Sequence, residues 1–174
     1  MERHLLLLRG INVGGKNVLP MATLTHMCEA LACQNVRTYI QSGNVALDVP
    51  PQRVASLAQD LQAAIAAQPG LHVPVVRRSA LDLQAVLAAN PWPDRDTTLL
   101  SVAFLRDAPS PAQVASLDPQ RSPPDEFHVH GREVYLYTPN GFARTKLTNA
   151  WLDAKLKTIS TVRNWRTVQM LAAW

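Results

Sequence analysis

The sequence predicts an α+β protein made of two ferredoxin-like (α-β plait) subdomains, βαββαβ followed by βαββα plus a C-terminal helix. Three observations carry this. Short apolar runs of strand character alternate with apolar stripes of helical period. The first six elements follow the order of a split βαβ unit, and a similar order restarts after a proline-rich break. The 174 residues, 47% hydrophobic and 17% charged, suit one ordinary domain or two small ones and exclude a disordered chain. Thirteen prolines against seven glycines fit a chain cut into short elements.

The first subdomain, residues 1–78, opens with a buried strand over His4–Leu8, stopped by Arg9 and Gly10. Pro20 suits the first turn of a helix, in which Met21, Leu24, Met27, Cys28 and Leu31 recur at three and four. Strands over Val36–Gln41 and Asn44–Asp48 flank Ser42 and Gly43, which read as a hairpin turn. Val54, Leu57, Leu61 and Ile65 stripe a second helix that Pro69 and Gly70 stop, and His72–Arg77 reads as the fourth strand.

A connecting helix and linker take residues 79–96, with Ser79 and Asp82 as a capped start and Pro91–Asp96 as the break. The second subdomain, 97–174, restarts with a strand over Thr98–Leu105, a short helix over Pro111–Leu117 and a hairpin of Glu126–His130 with Glu133–Thr138. A helix over Thr145–Leu156 follows. A last helix over Thr161–Ala172, striped by Val162, Trp165, Val168 and Ala172, stands where a final strand would lie.

The formal charge is +4, too small to announce nucleic-acid binding by itself. It is uneven, however. From Asn140 onward Arg144, Lys146, Lys155, Lys157, Arg163 and Arg166 face a single anion, Asp153. Cys28 and Cys33, five apart in a helical stretch, are expected to point in different directions as buried reduced thiols, neither a redox pair nor half a zinc site. The four leucines of Leu5–Leu8 are too few for a secretory or membrane segment, so the expected location is cytoplasmic.

Two motifs carry the functional expectation. Gly10–Asn17 reads GINVGGKN and nearly fits a phosphate loop, but Asn17 replaces the metal-binding hydroxyl and Pro20 interrupts the helix that should follow. What survives is an anion nest of glycine N–H groups with Lys16, against a plain connection needing glycine dihedrals. Gln41–Asn44 reads QSGN. In a βαββαβ unit the first two strands are parallel, so both loops emerge at one sheet end. Arg9, Asn12, Gly14, Gly15, Lys16 and Asn17 should therefore face Gln41, Ser42 and Asn44. Farther on, Thr145 is expected to cap a helix between Arg144 and Lys146. Arg163 and Arg166, with Asn164 between them, offer a grip for phosphate or carboxylate. His128 and His130 share a strand face without a third ligand nearby, so no metal is expected.

The segments LRGINVGGK from Leu8, TYIQSGN from Thr38, TKL from Thr145 and RNW from Arg163 resemble the bacterial domain of unknown function 1697 over essentially the full chain. The resemblance implies two small α+β subdomains of ferredoxin-like type. The family pattern usually carries Thr before RNW and Asn after it, where this chain has Val162 and Arg166.

No nucleophile elbow, HExxH or paired-acid cluster appears. The candidate set is rich in hydrogen-bond donors and lacks an obvious general base, which favours holding a ligand over transforming one. The expectation is a binding module for a phosphate-bearing ligand, a nucleotide or single-stranded RNA, so that its partner is a phosphate-bearing small molecule or a single-stranded nucleic acid. It would be a monomer or weak dimer, with no cofactor and no membrane. Two alternatives compete: an enzyme acting on a small polar metabolite, with Asp48 or Glu29 as the nearest acids, and a dimerisation or scaffold module using Trp92, Trp151 and Trp174.

Overall fold

The structure, a computed structural model, describes residues 1–174. It is α+β, with two four-stranded antiparallel sheets. The chain divides into two compact units, Met1–Asp82 with Trp174, and Leu83–Ala173.

In the first unit β1 (Glu2–Leu8), α1 (Met21–Ala30), β2 (Gln34–Tyr39), β3 (Asn44–Val49), α2 (Leu57–Ala67) and β4 (Val75–Ser79) give a sheet ordered β2-β3-β1-β4. This is the plait arrangement. β1 is a central strand and all four of its leucines are buried. Alternation sends Leu6 and Leu8 to the core beneath the helices, where they meet Leu24, Met27, Leu57, Leu61 and Ile65. On the opposite sheet face Leu5, Leu7, Ala46 and Val76 are buried as well. The fourth strand starts at Val75 instead of His72 because Pro74 has no N–H for a ladder; its carbonyl accepts from the Arg9 N–H (3.0 Å).

α1 ends sooner than its stripe suggests. Ala32 turns left-handed (φ +65°), and the Cys33 N–H reaches back to the Cys28 carbonyl (3.1 Å), the bond of a Schellman ending. Cys33 is therefore off the helix, and both thiols lie in one core cluster instead of diverging. Burial, then the neighbouring Cys33 and Glu29, push the Cys28 thiol up from 9.0 to about 12. The thiolate is the reactive form, so both cysteines should resist alkylation at pH 8 in the native protein and react in denaturant, read by intact mass. An unfolded Cys28 releases its proton near its ordinary value while the native one holds it. This group's stabilising contribution is therefore whole below pH 9 and falls as pH rises toward 12.

The second unit takes up most of α3 (Ala80–Ala88), whose start at Ser79 is capped reciprocally: Asp82 N–H to Ser79 Oγ (3.0 Å) and Ser79 N–H to Asp82 Oδ2 (2.7 Å). Then come β5 (Leu100–Leu105), α4 (Pro111–Ala115), β6 (Glu126–His130), β7 (Glu133–Tyr137), α5 (Asn149–Leu156), β8 (Ser160–Asn164) and α6 (Trp165–Ala172), in a sheet ordered β6-β7-β5-β8.

Here the expected element order needs a correction. The stretch from Thr161 is not one helix: Ser160–Asn164 pairs with β5 as a full fourth strand, and Asn164 then caps α6 by accepting from Thr167 N–H (2.9 Å). The β-branched Thr161 and Val162 favour the strand, and Asn164 favours the break before α6. α5 likewise starts at Asn149, because Thr148 and not Thr145 is its cap.

With β8 in place, each half reads βαββαβα, and the correspondence extends to single bonds. Leu8 N–H donates to Gly43 O and Arg9 N–H to Pro74 O; Leu105 N–H donates to Arg132 O and Arg106 N–H to Ile159 O at matching places. Leu5 pairs with the buried Arg78, as Val102 pairs with the buried Arg163. Each arginine bonds the carbonyl before it (both 2.9 Å), and each is followed by a helix cap, Ser79 or Asn164. At these places the residues match as well: Leu8–Arg9 corresponds to Leu105–Arg106, and Arg78 to Arg163.

Candidate functional site

The two loops singled out in the sequence meet at the end of the first sheet where β1 finishes. Residues 12–17 form a miniature two-rung hairpin, with Asn12 N–H to Asn17 O (3.1 Å) and Lys16 N–H to Val13 O (2.9 Å). Gly14 (φ +57°) and Gly15 (φ +73°) sit at its tip, the left-handed pair that a tight hairpin turn requires. The glycines thus close a hairpin and do not head a helix, since α1 begins only at Met21.

Asn12 ties this arm down. Its Nδ2 donates to Leu19 O (2.9 Å) and to Gln41 O (2.8 Å), and its Oδ1 accepts from Leu19 N–H (2.8 Å). Asn17 Nδ2 donates to Gly10 O (2.9 Å). In the facing turn, Asn44 is fully buried and its Nδ2 donates to Tyr39 O (3.1 Å) and Ser42 Oγ (3.0 Å). This corrects the expectation that Asn44 recognises a ligand: as the first residue of β3 its side chain points inward and holds the turn. Gln41 is exposed and Ser42 half-buried.

Charge is segregated along this unit. Its five side-chain carboxylates, Glu2, Glu29, Asp48, Asp60 and Asp82, all belong to the end where β1 starts: the first residues of β1, the last turn of α1, the end of β3 and the first turns of α2 and α3. Asp48 is held there by Arg3 (2.7 Å) and Asn35 (2.7 Å), and Asp60 by Arg53. The opposite end carries Arg9 and Lys16. Lys16 is exposed and makes no ion pair. The N-terminus of α1 lies at the same end, with no acidic residue in its first turn and no side-chain cap.

The remaining predicted residues lie in the second unit. Arg144 and Lys146 are exposed, Lys146 N–H donates to Ser122 Oγ (3.0 Å), and Thr145 Oγ1 accepts from Leu147 N–H (3.0 Å). Arg163 requires a correction. It lies inside the sheet, bonded to Thr161 Oγ1 (2.8 Å) and Val162 O, and burial pushes its guanidinium down to about 10. A strand position facing inward cannot join Arg166 in a surface grip. Asn164 lies beside a cleft of about 370 Å³ with Thr98, Trp165, Arg166 and Gln169, and its side chain is spent on capping α6. His128 and His130 are exposed on alternate residues of β6.

The tryptophans named for a scaffold role have partners within their own units: Trp151 meets Phe127, Trp92 meets Tyr137 with Arg95 over both rings, and Trp174 meets the edge of Tyr39. Sequence reasoning overlooked Ile40, which is 53% exposed at φ +51°. A two-residue turn was expected at Ser42 and Gly43, but the loop runs over residues 40–43, and no local motif marks a left-handed isoleucine.

A search of curated proteins finds no match. Among solved structures, the conserved bacterial protein SP0830 from Streptococcus pneumoniae is similar, with 25% identity, a TM-score of 0.76, and coverage of 99% of this chain and 97% of that one. A family model described as "Protein of unknown function (DUF1697)" matches residues 1–135, from β1 into β7, a span that holds both the hairpin arm and the turn it is tied to. By that match the chain belongs to the DUF1697 family.

Proposed function

We propose that the protein binds a phosphate-bearing ligand, a nucleotide or similar phosphate ester, at the sheet end formed by the 12–17 hairpin and the 40–43 turn. The charge segregation carries this reading. A seven-residue strand separates the two ends by about 20 Å, more than twice the screening length at physiological salt. The unit's own side-chain carboxylates therefore do little to cancel Lys16. Around it, Gly14 and Gly15 leave open space where side chains would stand, and the first N–H groups of α1 add positive potential. With no side-chain carboxylate of this unit at hand to take a proton, the chemistry on offer is capture.

The sheet end is favoured over the sheet face, because Leu5, Leu7, Ala46 and Val76 are buried there and the ring of Tyr39 is engaged by Trp174. Lys16→Ala should weaken binding of a nucleoside monophosphate about tenfold, roughly what one strong charge contact supplies. The melting temperature should not change, since the side chain is exposed. Isothermal titration at two salt concentrations reads this. Affinity indifferent to both salt and Lys16 rejects the reading.

A further inference from the structure

We propose that the ligand of this site carries a flat apolar group beside its phosphate, as a nucleotide does, and that Ile40, with Val13 and Val18, is the surface that receives it. The inference rests on the phosphate reading above and adds what the rest of the ligand is. Seven large hydrophobic side chains of the protein are exposed, and three of them are at this end: Val13 (64%), Val18 (60%) and Ile40 (53%). Val13 is paired with Lys16 across the hairpin, and Val18 follows its last rung. Ile40 precedes the carbonyl that Asn12 holds. The apolar side chains and the free cation are therefore on two segments stitched together.

Ile40 is the sharper observation. A β-branched residue in the left-handed region is sterically disfavoured, and glycine or asparagine is the ordinary occupant. Strain of that kind is normally offset by burial, yet this side chain is more than half exposed. Strained residues of this type gather at ligand clamps. The turn that presents Ile40 is itself fixed, because Gly43 lies so close to Leu8 and Ile11 that a Cβ would fall 2.6 Å from Leu8 Cβ. An apolar group held there beside an ammonium suits a nucleobase next to its phosphate better than a bare sugar phosphate.

The test compares AMP, GMP, CMP and UMP with ribose 5-phosphate and inorganic phosphate, by calorimetry on the full chain and on Ile40→Asn. For the native protein, the best nucleotide should bind at least tenfold more tightly than ribose 5-phosphate. Ile40→Asn should melt at or above the native temperature, because asparagine accepts the turn. It should lose about tenfold in nucleotide affinity and keep its affinity for inorganic phosphate. Equal affinity for nucleotides and ribose 5-phosphate overturns the inference while leaving the phosphate reading in place. So does an Ile40→Asn variant that binds nucleotide normally, or one that melts clearly lower, which would assign Ile40 to the fold. Failure of every phosphate compound to bind overturns both.

Discussion

Gly43→Ala is expected to destabilise the protein by about 2–4 kcal/mol, lowering the melting temperature by roughly 10 °C. Two costs combine. Alanine at φ +82° is strained, and its Cβ would sit 2.6 Å from Leu8 Cβ and 2.9 Å from Ile11 Cδ1, both on buried residues that cannot swing away. The shift that relieves the clash also pulls on the bond from Leu8 N–H to Gly43 O. The comparison variant is Gly14→Ala. It also has a positive φ, but its Cβ would meet nothing within 4 Å, so only the backbone strain of about 1 kcal/mol remains. Thermal melts of both variants separate the terms. Equal losses would mean that Gly43 is needed for its dihedral alone.

The second large effect is expected at Asn12. Removing its side chain deletes three hydrogen bonds and leaves the N–H of buried Leu19 without its acceptor. Buried donors left unpaired cost more than the net value of a bond, so Asn12→Ala should cost about 2–4 kcal/mol. Asn12→Asp tolerates the same left-handed backbone and keeps the acceptor for Leu19 N–H, but sets a carboxylate oxygen against the Leu19 and Gln41 carbonyls that Nδ2 now donates to, so it should be no more stable than Ala. Amide hydrogen exchange is the direct readout. Protection of Leu19 should be lost in the Ala variant and partly kept in the Asp variant. Unchanged protection in both would mean that other contacts hold the hairpin to the 40–43 turn.

Much of this architecture is legible in the sequence, for physical reasons. Four consecutive leucines stopped by Arg9 and Gly10 mark β1, because a strand buried on both faces reads as a short unbroken apolar run. Parallel β1 and β2 follow from the order of elements, and with them the meeting of the two loops. What was not legible depends on tertiary context. Val162 and Trp165 fall at helical spacing, yet pairing with β5 makes Ser160–Asn164 a strand. Arg163 reads as a surface cation until that strand turns it inward. Asn44 looks like a recognition amide in the string QSGN, and only burial reveals it as the fastener of its own turn. Cys28 and Cys33 diverge on an ideal helix and share one core because α1 stops at Ala30. The likeness between the halves is carried mostly by matched backbone bonds, and its trace in the residues is short: Leu8–Arg9 against Leu105–Arg106, and Arg78 against Arg163.

The central claim is that the hairpin arm and the turn it is tied to receive a phosphate-bearing ligand. The direct measurement is a titration of ¹⁵N-labelled protein with nucleoside monophosphates, followed by amide chemical shifts. The account predicts saturable shifts concentrated at Val13–Val18 and Ile40–Gly43, largest at Gly14, Gly15 and Lys16, and weakened by added salt. Saturable shifts confined to other parts of the chain, or none at millimolar ligand and low salt, would contradict it.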